Sequence, residues 1–343
     1  MERRRICRLW ERGDASALVT LVRVEGSSYR RVGARLLIAA NGEYAGSISG
    51  GCLEAEVVRK AQWLVRDGRA VVERYSTLFD DTAEIPYGLG CGGTVDLLIE
   101  PANTPECAAL MAAMEAALRG DEATVITWPP IGAQGLRREI LKDGALAGTD
   151  ALVFEERLVA PQRLIVFGAG DDAQPMVRMA SLMGWSVIVL DGRAQMARAE
   201  RFPEAERVVV TATLDGINVT ERDAVVLMTH SYEQDRAWLA AVLPKAPRYL
   251  GLLGARHRSA LLVSEAATIL DWPLERVCEG LFAPVGLDLG GDGAEAIALA
   301  TVAEVQACCE GKLGVSRRMT PEMVAEQVAE GGASRYLQTQ CAV

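Results

Sequence analysis

The sharpest hydrophobic pattern in the chain lies between Arg163 and Asp191. Leu164-Ile165-Val166-Phe167 is an unbroken apolar run, as expected of a strand buried on both faces. Gly168-Ala169-Gly170 follows at once. A helical period then carries Val177, Ala180 and Met183 on one face and stops at Gly184. Val187-Ile188-Val189-Leu190 is a second buried strand, ending at Asp191. Strand, glycine turn, helix, strand and acid in this order predict the opening of a Rossmann-like βαβ unit. The same pattern continues with strands at Val208 to Val210, Ala224 to Met228 and Tyr249 to Leu253. A strongly apolar helix, Ala294 to Cys309, follows, with Glu295 and Glu304 as its carboxylates.

Before Arg163 the pattern is different. Residues 3–12 predict a helix, Ala17 to Val24 a strand and Ala34 to Ala40 a second strand. Asn41-Gly42 is a hairpin signal, so Glu43 to Ile48 is expected to return antiparallel. A helix is expected from near Cys52 to Asp67, with Gly68 as its stop. Further strands are predicted at Ala70 to Tyr75, Thr94 to Glu100, Glu122 to Trp128, Leu136 to Lys142 and Ala145 to Gly148. Thr104 and Pro105 open a helix to Arg119 as N-cap and first residue. The class is therefore α/β, an N-terminal α+β domain followed by a doubly wound parallel sheet. The expected divisions are 1–155 for the first domain, 156–162 for a linker holding Pro161, 163–312 for the Rossmann-like domain, and 313–343 for a C-terminal helix and tail.

Composition narrows the function. A net charge of −10 over 343 residues argues against nucleic acid or an anionic membrane as the main partner. No apolar run reaches the length of a membrane span. The first ten residues read as an amphipathic helix and not as a signal peptide. The eight cysteines form no CxxC pair, so reduced thiols in a cytoplasmic protein are expected, and zinc is not. A homodimer is the expected assembly on general grounds.

Three places carry candidate chemistry. At Gly168-x-Gly170 the backbone can approach a phosphate at a helix N-terminus, and Asp191 lies where a carboxylate can bond a ribose diol. Asp171 and Asp172 favour the helix dipole yet repel a pyrophosphate in the same place. At Ser49-Gly50-Gly51-Cys52-Leu53-Glu54, adjacent glycines can aim successive N–H groups at one anion. Cys52, expected in the first helical turn, would have its thiolate favoured by the dipole. At Gly88 to Gly93, four glycines around Cys91 suggest a backbone wrapped closely round a ligand, with Gly92 and Gly93 in its wall. His230 is delivered to the C-terminal end of a strand, where open α/β sheets bind ligands, and Asp235 stands where it can orient it. Arg256, after the Gly251 to Gly254 turn, can hold a phosphate bidentately. A nicotinamide-dependent oxidoreductase binding NAD(P), with His230 as general acid and Asp235 as its orienter, remains open. So does a nucleotide-sensing module.

The order of motifs is specific. Residues 26–35 (GSSYRRVGAR), 46–54 (GSISGGCLE), 90–93 (GCGG), 167–170 (FGAG), Asp191-Gly-Arg, Thr229-His230, 251–256 (GLLGAR) and 284–290 (PVGLDLG) together resemble the XdhC/CoxI family over roughly residues 8–310. Three positions depart from its pattern: Tyr29 for a proline, Asp171 for a histidine, and residues 292–295 (DGAE), which lack the usual threonine-proline but keep Glu295. The resemblance implies an accessory protein for molybdenum hydroxylases such as xanthine dehydrogenase. Such a protein binds the molybdenum cofactor (molybdopterin), supports its sulfuration by a cysteine desulfurase, and helps insert it into the apoenzyme. Taken with that resemblance, the candidate residues place the cofactor between the two domains, with expected contacts from Gly50, Gly51, Cys52, Glu54, Cys91, Gly92, Gly93, Gly168, Gly170, Asp191, His230 and Arg256, and with Cys52 and Cys91 near the molybdenum. Soft thiols suit a metal–sulfur centre, and a glycine loop suits the pterin's phosphate.

Overall fold

The structure is a computed structural model, and it describes residues 1–76, 93–131, 134–142 and 154–314. Contacts divide the described chain into two compact units, one from Glu2 to Ala160 and one from Pro161 onward.

The first unit opens with helix α1 (Glu2–Trp10) and strands β1 (Ala15–Glu25), β2 (Arg35–Ala39) and β3 (Tyr44–Gly46). Helix α2 (Glu54–Leu64), β4 (Val71–Ser76), β5 (Thr94–Pro101) and α3 (Pro105–Leu118) follow, then β6 (Ala123–Trp128), β7 (Arg137–Lys142) and β8 (Phe154–Leu158). Five strands form an antiparallel sheet in the order β3-β2-β1-β5-β4, and three form a second, β7-β6-β8. Both faces of the larger sheet are covered. Leu18, Leu37 and Ala39 pack with residues of α1 and α3 on one side. Ala17, Val19, Leu36 and Ile38 pack with Val57 and Ala61 of α2 on the other. This double burial explains why β1 and β2 read as continuous apolar runs with only weak alternation. The helix from Thr104 caps as expected, its side chain accepting from the Cys107 N–H.

Strand β8 departs from the expected pattern: it pairs with β6 and takes in residues 156–158, the start of the predicted linker. Glu156 disguises it. That side chain shares a face with Phe154 and Leu158, and there it pairs with buried Arg35. An acid at an inward position reads as loop until its partner is known. The predicted strand at Ala145 to Gly148, the Cys91 loop up to Gly92, and the C-terminal helix near Thr320 lie outside the described residues.

The second unit carries β9 (Arg163–Phe167), α4 (Ala173–Leu182), β10 (Ser186–Asp191), β11 (Arg207–Val210), β12 (Ala224–Leu227) and α5 (Tyr232–Val242). It continues with β13 (Tyr249–Leu252), α6 (Arg256–Leu270), α7 (Leu274–Glu279), β14 (Leu281–Phe282) and α8 (Ala294–Cys309). The sheet is parallel in the order β11-β10-β9-β12-β13-β14. Counted along the chain this is 3-2-1-4-5-6, the Rossmann order. Leu164 and Val166 pack with α4 and α8, and Ile165 and Phe167 with α5, α6 and α7, so successive residues of β9 feed opposite cores. Met183, expected on the inner face of α4, is half exposed, and Met176 fills the core with Val177 and Ala180. The order of strands reverses between β9 and β12, and the loops that follow these two strands carry Gly168, Gly170 and His230.

Candidate functional site

In the first unit the glycine loop is an anion cradle that the chain fills itself. Glu54, the first residue of α2, turns its carboxylate back into the loop. Its Oε1 accepts from Ser47 Oγ (2.7 Å) and from the N–H groups of Ile48 (2.9 Å), Ser49 (2.9 Å) and Gly50 (3.2 Å). Its Oε2 accepts from the Gly51 N–H (2.8 Å) and from Ser49 Oγ. Gly50 and Gly51 have φ of +95° and +118°, which turns their N–H groups toward one point. Burial alone would raise the Glu54 pKa, but donors from Ser49 and Ser47 outweigh it and hold the carboxyl at about 2. Glu54, expected as a cofactor contact, commits its carboxylate to its own loop.

Cys52 stands just outside the helix. Leu53 occupies the capping position and α2 begins at Glu54, so the thiol is exposed in the turn before the helix and not within its first turn. The positive φ of the two glycines delays the helix. Gly93 is buried so tightly that a Cβ there would overlap the Ser27 carbonyl oxygen, which fastens the end of one glycine motif onto another. Among the other thiols of this unit, burial raises Cys7 to about 11 and drives Cys107 higher. They are core residues, unlike Cys52.

In the second unit the loop after β9 meets the loop after β12. Gly168 has φ +123°, and a Cβ there would overlap the Met228 carbonyl. Two strands can end this close together only with glycine at that position. The next N–H, of Ala169, donates to Asp191 Oδ2 at 2.8 Å. Asp191 is itself gripped by Arg193, which bonds both its oxygens at 2.8–2.9 Å through its guanidinium and one through its own N–H. Burial pushes the Asp191 pKa up, but the Arg193 side chain and the two N–H groups pull it down on balance. The carboxylate predicted to take a ribose diol is therefore buried and committed to its own loop. Its distance from the glycine loop in sequence conceals that pairing.

His230 lies at the sheet's ligand edge as predicted, but its partner is different. Its Nε2 stands 2.7 Å from Asp172 Oδ2, while Asp235 bonds Thr229 (Oγ1, 2.7 Å) and Arg258 (2.6 Å). Asp235 is fully buried behind the loop and does not orient His230. The backbone of His230 is left-handed, φ +60°, a conformation uncommon outside glycine and asparagine. The two acids after Gly170 both have partners: Asp172 contacts His230, and Asp171 pairs with Arg201 at 2.6 Å. Arg201 also donates to the Ala169 carbonyl at 2.6 Å. Gly170 sits beside this pair, since a Cβ on it would lie 2.5 Å from Asp172 Oδ1.

Arg256 does not join the group. It is exposed at the start of α6, and its side chain makes no hydrogen bond or ion pair among the described residues. Arg258, two positions on, is the arginine that faces inward, bonding Asp235 and the Leu253 carbonyl and lying over the Tyr232 ring. Helical register separates the two, and the glycine turn before them gives no sign of which is buried.

Two family models match the chain: that of the XdhC and CoxI family over residues 9–76, and that of the XdhC Rossmann domain over residues 164–305. A probable xanthine dehydrogenase subunit from Bacillus subtilis is 28% identical over 320 residues, covering 87% of this chain and 94% of that one. The molybdenum cofactor insertion chaperone PaoD of Escherichia coli is 28% identical over 293 residues, covering 85% and 83%. A crystal structure of a xanthine dehydrogenase from Bacillus halodurans superposes with a TM-score of 0.76 at 27% identity, covering 94% of this chain and 99% of that one.

Proposed function

Since the chain belongs to the XdhC and CoxI family, we propose that it is an accessory protein that binds the molybdenum cofactor and delivers it to the apoenzyme of a molybdenum hydroxylase of the xanthine dehydrogenase type. The observation that carries this reading is the likeness to a cofactor insertion chaperone along both units of the chain. In this reading a cysteine desulfurase acts on the cofactor while it is held, and the accessory protein works as a homodimer.

The residues present suit such a cargo in one respect and disfavour a nicotinamide nucleotide in another. Cys52 offers an exposed thiol in a turn of the first unit, a soft donor for a metal–sulfur group. Once inserted into the client enzyme, the cofactor would supply that enzyme's redox and oxygen-transfer chemistry. The chain's own part is to hold it and shield it. A dinucleotide finds no ribose acceptor, because both Asp191 oxygens are occupied by Ala169 and Arg193. An oxidoreductase using His230 and Asp235 as a pair loses its premise with their separation.

The experiment is metal analysis of protein isolated from a molybdate-supplied host. Wild type is expected to retain molybdenum and pterin. Cys52→Ala and Cys91→Ala are expected to retain several-fold less with unchanged denaturation midpoints. Pulldown is expected to bring down a molybdenum hydroxylase apoenzyme and a desulfurase. Wild type that carries no pterin under these conditions refutes the reading.

A further inference from the structure

The first unit contains a cleft of about 730 Å³ that none of the motif readings predicts. That volume is within the range of small-molecule sites. Five arginines line it, Arg3, Arg30, Arg31, Arg35 and Arg157, in a chain whose net charge is −10. Three of them are matched by acids: Arg30 by Glu2 at 2.6 Å, Arg157 by Glu122 at 2.9 Å, and Arg35 by Glu156. Two are not. Arg31 is exposed and its side chain makes no hydrogen bond or ion pair among the described residues, and Arg3 spends one nitrogen on the Val159 carbonyl. Against them stands one lining acid without a partner among the described residues, Glu155.

Two further features point to a ligand. Arg35 is only 5% exposed, and its Nε has no hydrogen-bond partner among the described residues. A buried cationic donor left idle is costly unless something else completes it. Burial first, and then the charge of Arg35, lowers the pKa of Arg3, so positive charge is crowded at one end of the cleft. Tyr29, on the cleft wall, is 75% exposed and lies against Gly50, where a Cβ would fall 2.6 Å from its ring. The ring thus rests against the self-filled cradle and is otherwise largely open to solvent.

We propose that this cleft binds a phosphate ester carried on a planar heterocycle, with the phosphate at Arg3 and Arg31, backed by Arg35, and the ring against Tyr29. Guanidinium groups hold phosphate bidentately, and an aromatic face stacks on a flat ring. The identity of the heterocycle as the cofactor's pterin rests on the function proposed above; the anion site does not.

The test uses the full chain. Inorganic pyrophosphate is titrated calorimetrically into wild type, Arg31→Gln, Arg3→Gln and Arg3→Lys at fixed ionic strength, with sodium acetate as control. Each loss of a guanidinium is expected to weaken pyrophosphate binding roughly ten-fold. Arg3→Lys should recover part of the loss, and acetate should not compete. Arg31 is exposed, so its variant keeps the fold even if Arg3→Gln does not. Tyr29→Ala should leave pyrophosphate binding intact and reduce pterin retention several-fold. Pyrophosphate binding that is absent in wild type, or unchanged in Arg31→Gln, overturns the anion site. Pterin retention unchanged in Tyr29→Ala overturns the ring contact. Wild type that binds pyrophosphate through these arginines but retains no pterin keeps the cleft and removes the cofactor function. Pterin retention indifferent to the arginines leaves the cofactor function standing and overturns this cleft as the pterin's site.

Discussion

Glu54 shows at the scale of one residue how a loop rich in donors is kept in order. Its carboxyl is held at about 2 in the folded chain against an ordinary 4.5. A depressed pKa of this kind adds stability that is fully present above pH 4.5 and is lost as pH falls from 4.5 toward 2. Glu54→Gln keeps the volume but replaces an acceptor oxygen with a donor, and is expected to cost about 2 kcal/mol at neutral pH. Denaturant midpoints measured between pH 7 and 2.5 should show the variant losing less than wild type over the acid limb. His230 presents a different balance. Relief of its left-handed backbone by His230→Gly is worth about 1 kcal/mol, and the exposed contact with Asp172 is worth no more than that. The substitution should therefore leave the melting temperature unchanged or slightly raised. A clear drop would show that the imidazole contributes more to stability than its exposure suggests.

At the scale of elements, the meeting of β9 and β12 depends on one position. Gly168→Ala places a methyl group on the Met228 carbonyl in a backbone region closed to alanine, and should cost about 3 kcal/mol or more. Urea unfolding followed by circular dichroism would measure it. A smaller opposite case is Tyr249→Phe. It removes the hydroxyl that donates to buried Glu304 at 2.5 Å, leaving that carboxylate with the Gly286 N–H at 2.8 Å. A loss of about 1–2 kcal/mol is expected, with faster proteolysis of the Gly286 loop. Most elements were legible from hydrophobic period and punctuation, because strands such as β9 and β10 are buried on both faces and helices such as α3 carry local caps. What escaped was set by distant partners. β8 hides behind Glu156 until Arg35 is placed beside it, and β14 has only Leu281 and Phe282 with which to announce itself. The glycine loops were legible as cradles, but not their occupants. Asp191 reaches Ala169 across the fold, and nothing local predicts that it will turn to the loop and not outward. Glu54 was within reach, since serines and glycines followed at once by a helix-opening acid form a local capping pattern.

At the scale of the molecule, each unit carries a sheet covered on both faces by its own apolar clusters. A chain beginning at Pro161 is expected to fold alone, with a cooperative melt and native far-ultraviolet dichroism. Its core is of the size at which single domains are ordinarily stable. Failure of that fragment to fold would show that its sheet requires the first unit. No helix among the described residues is long and apolar enough to cross a membrane.

Both glycine turns arrive at rest with a carboxylate already seated in them. Neither needs a counter-ion from solution to stay in shape, so dialysing away phosphate should not loosen either one. An anion arriving from outside has to evict a resident group of like charge before it can use those amides, which handicaps the millimolar phosphates of ordinary buffers. A rise in melting temperature with pyrophosphate that Arg31→Gln abolishes is therefore a signal from the unfilled arginines and not from the glycines.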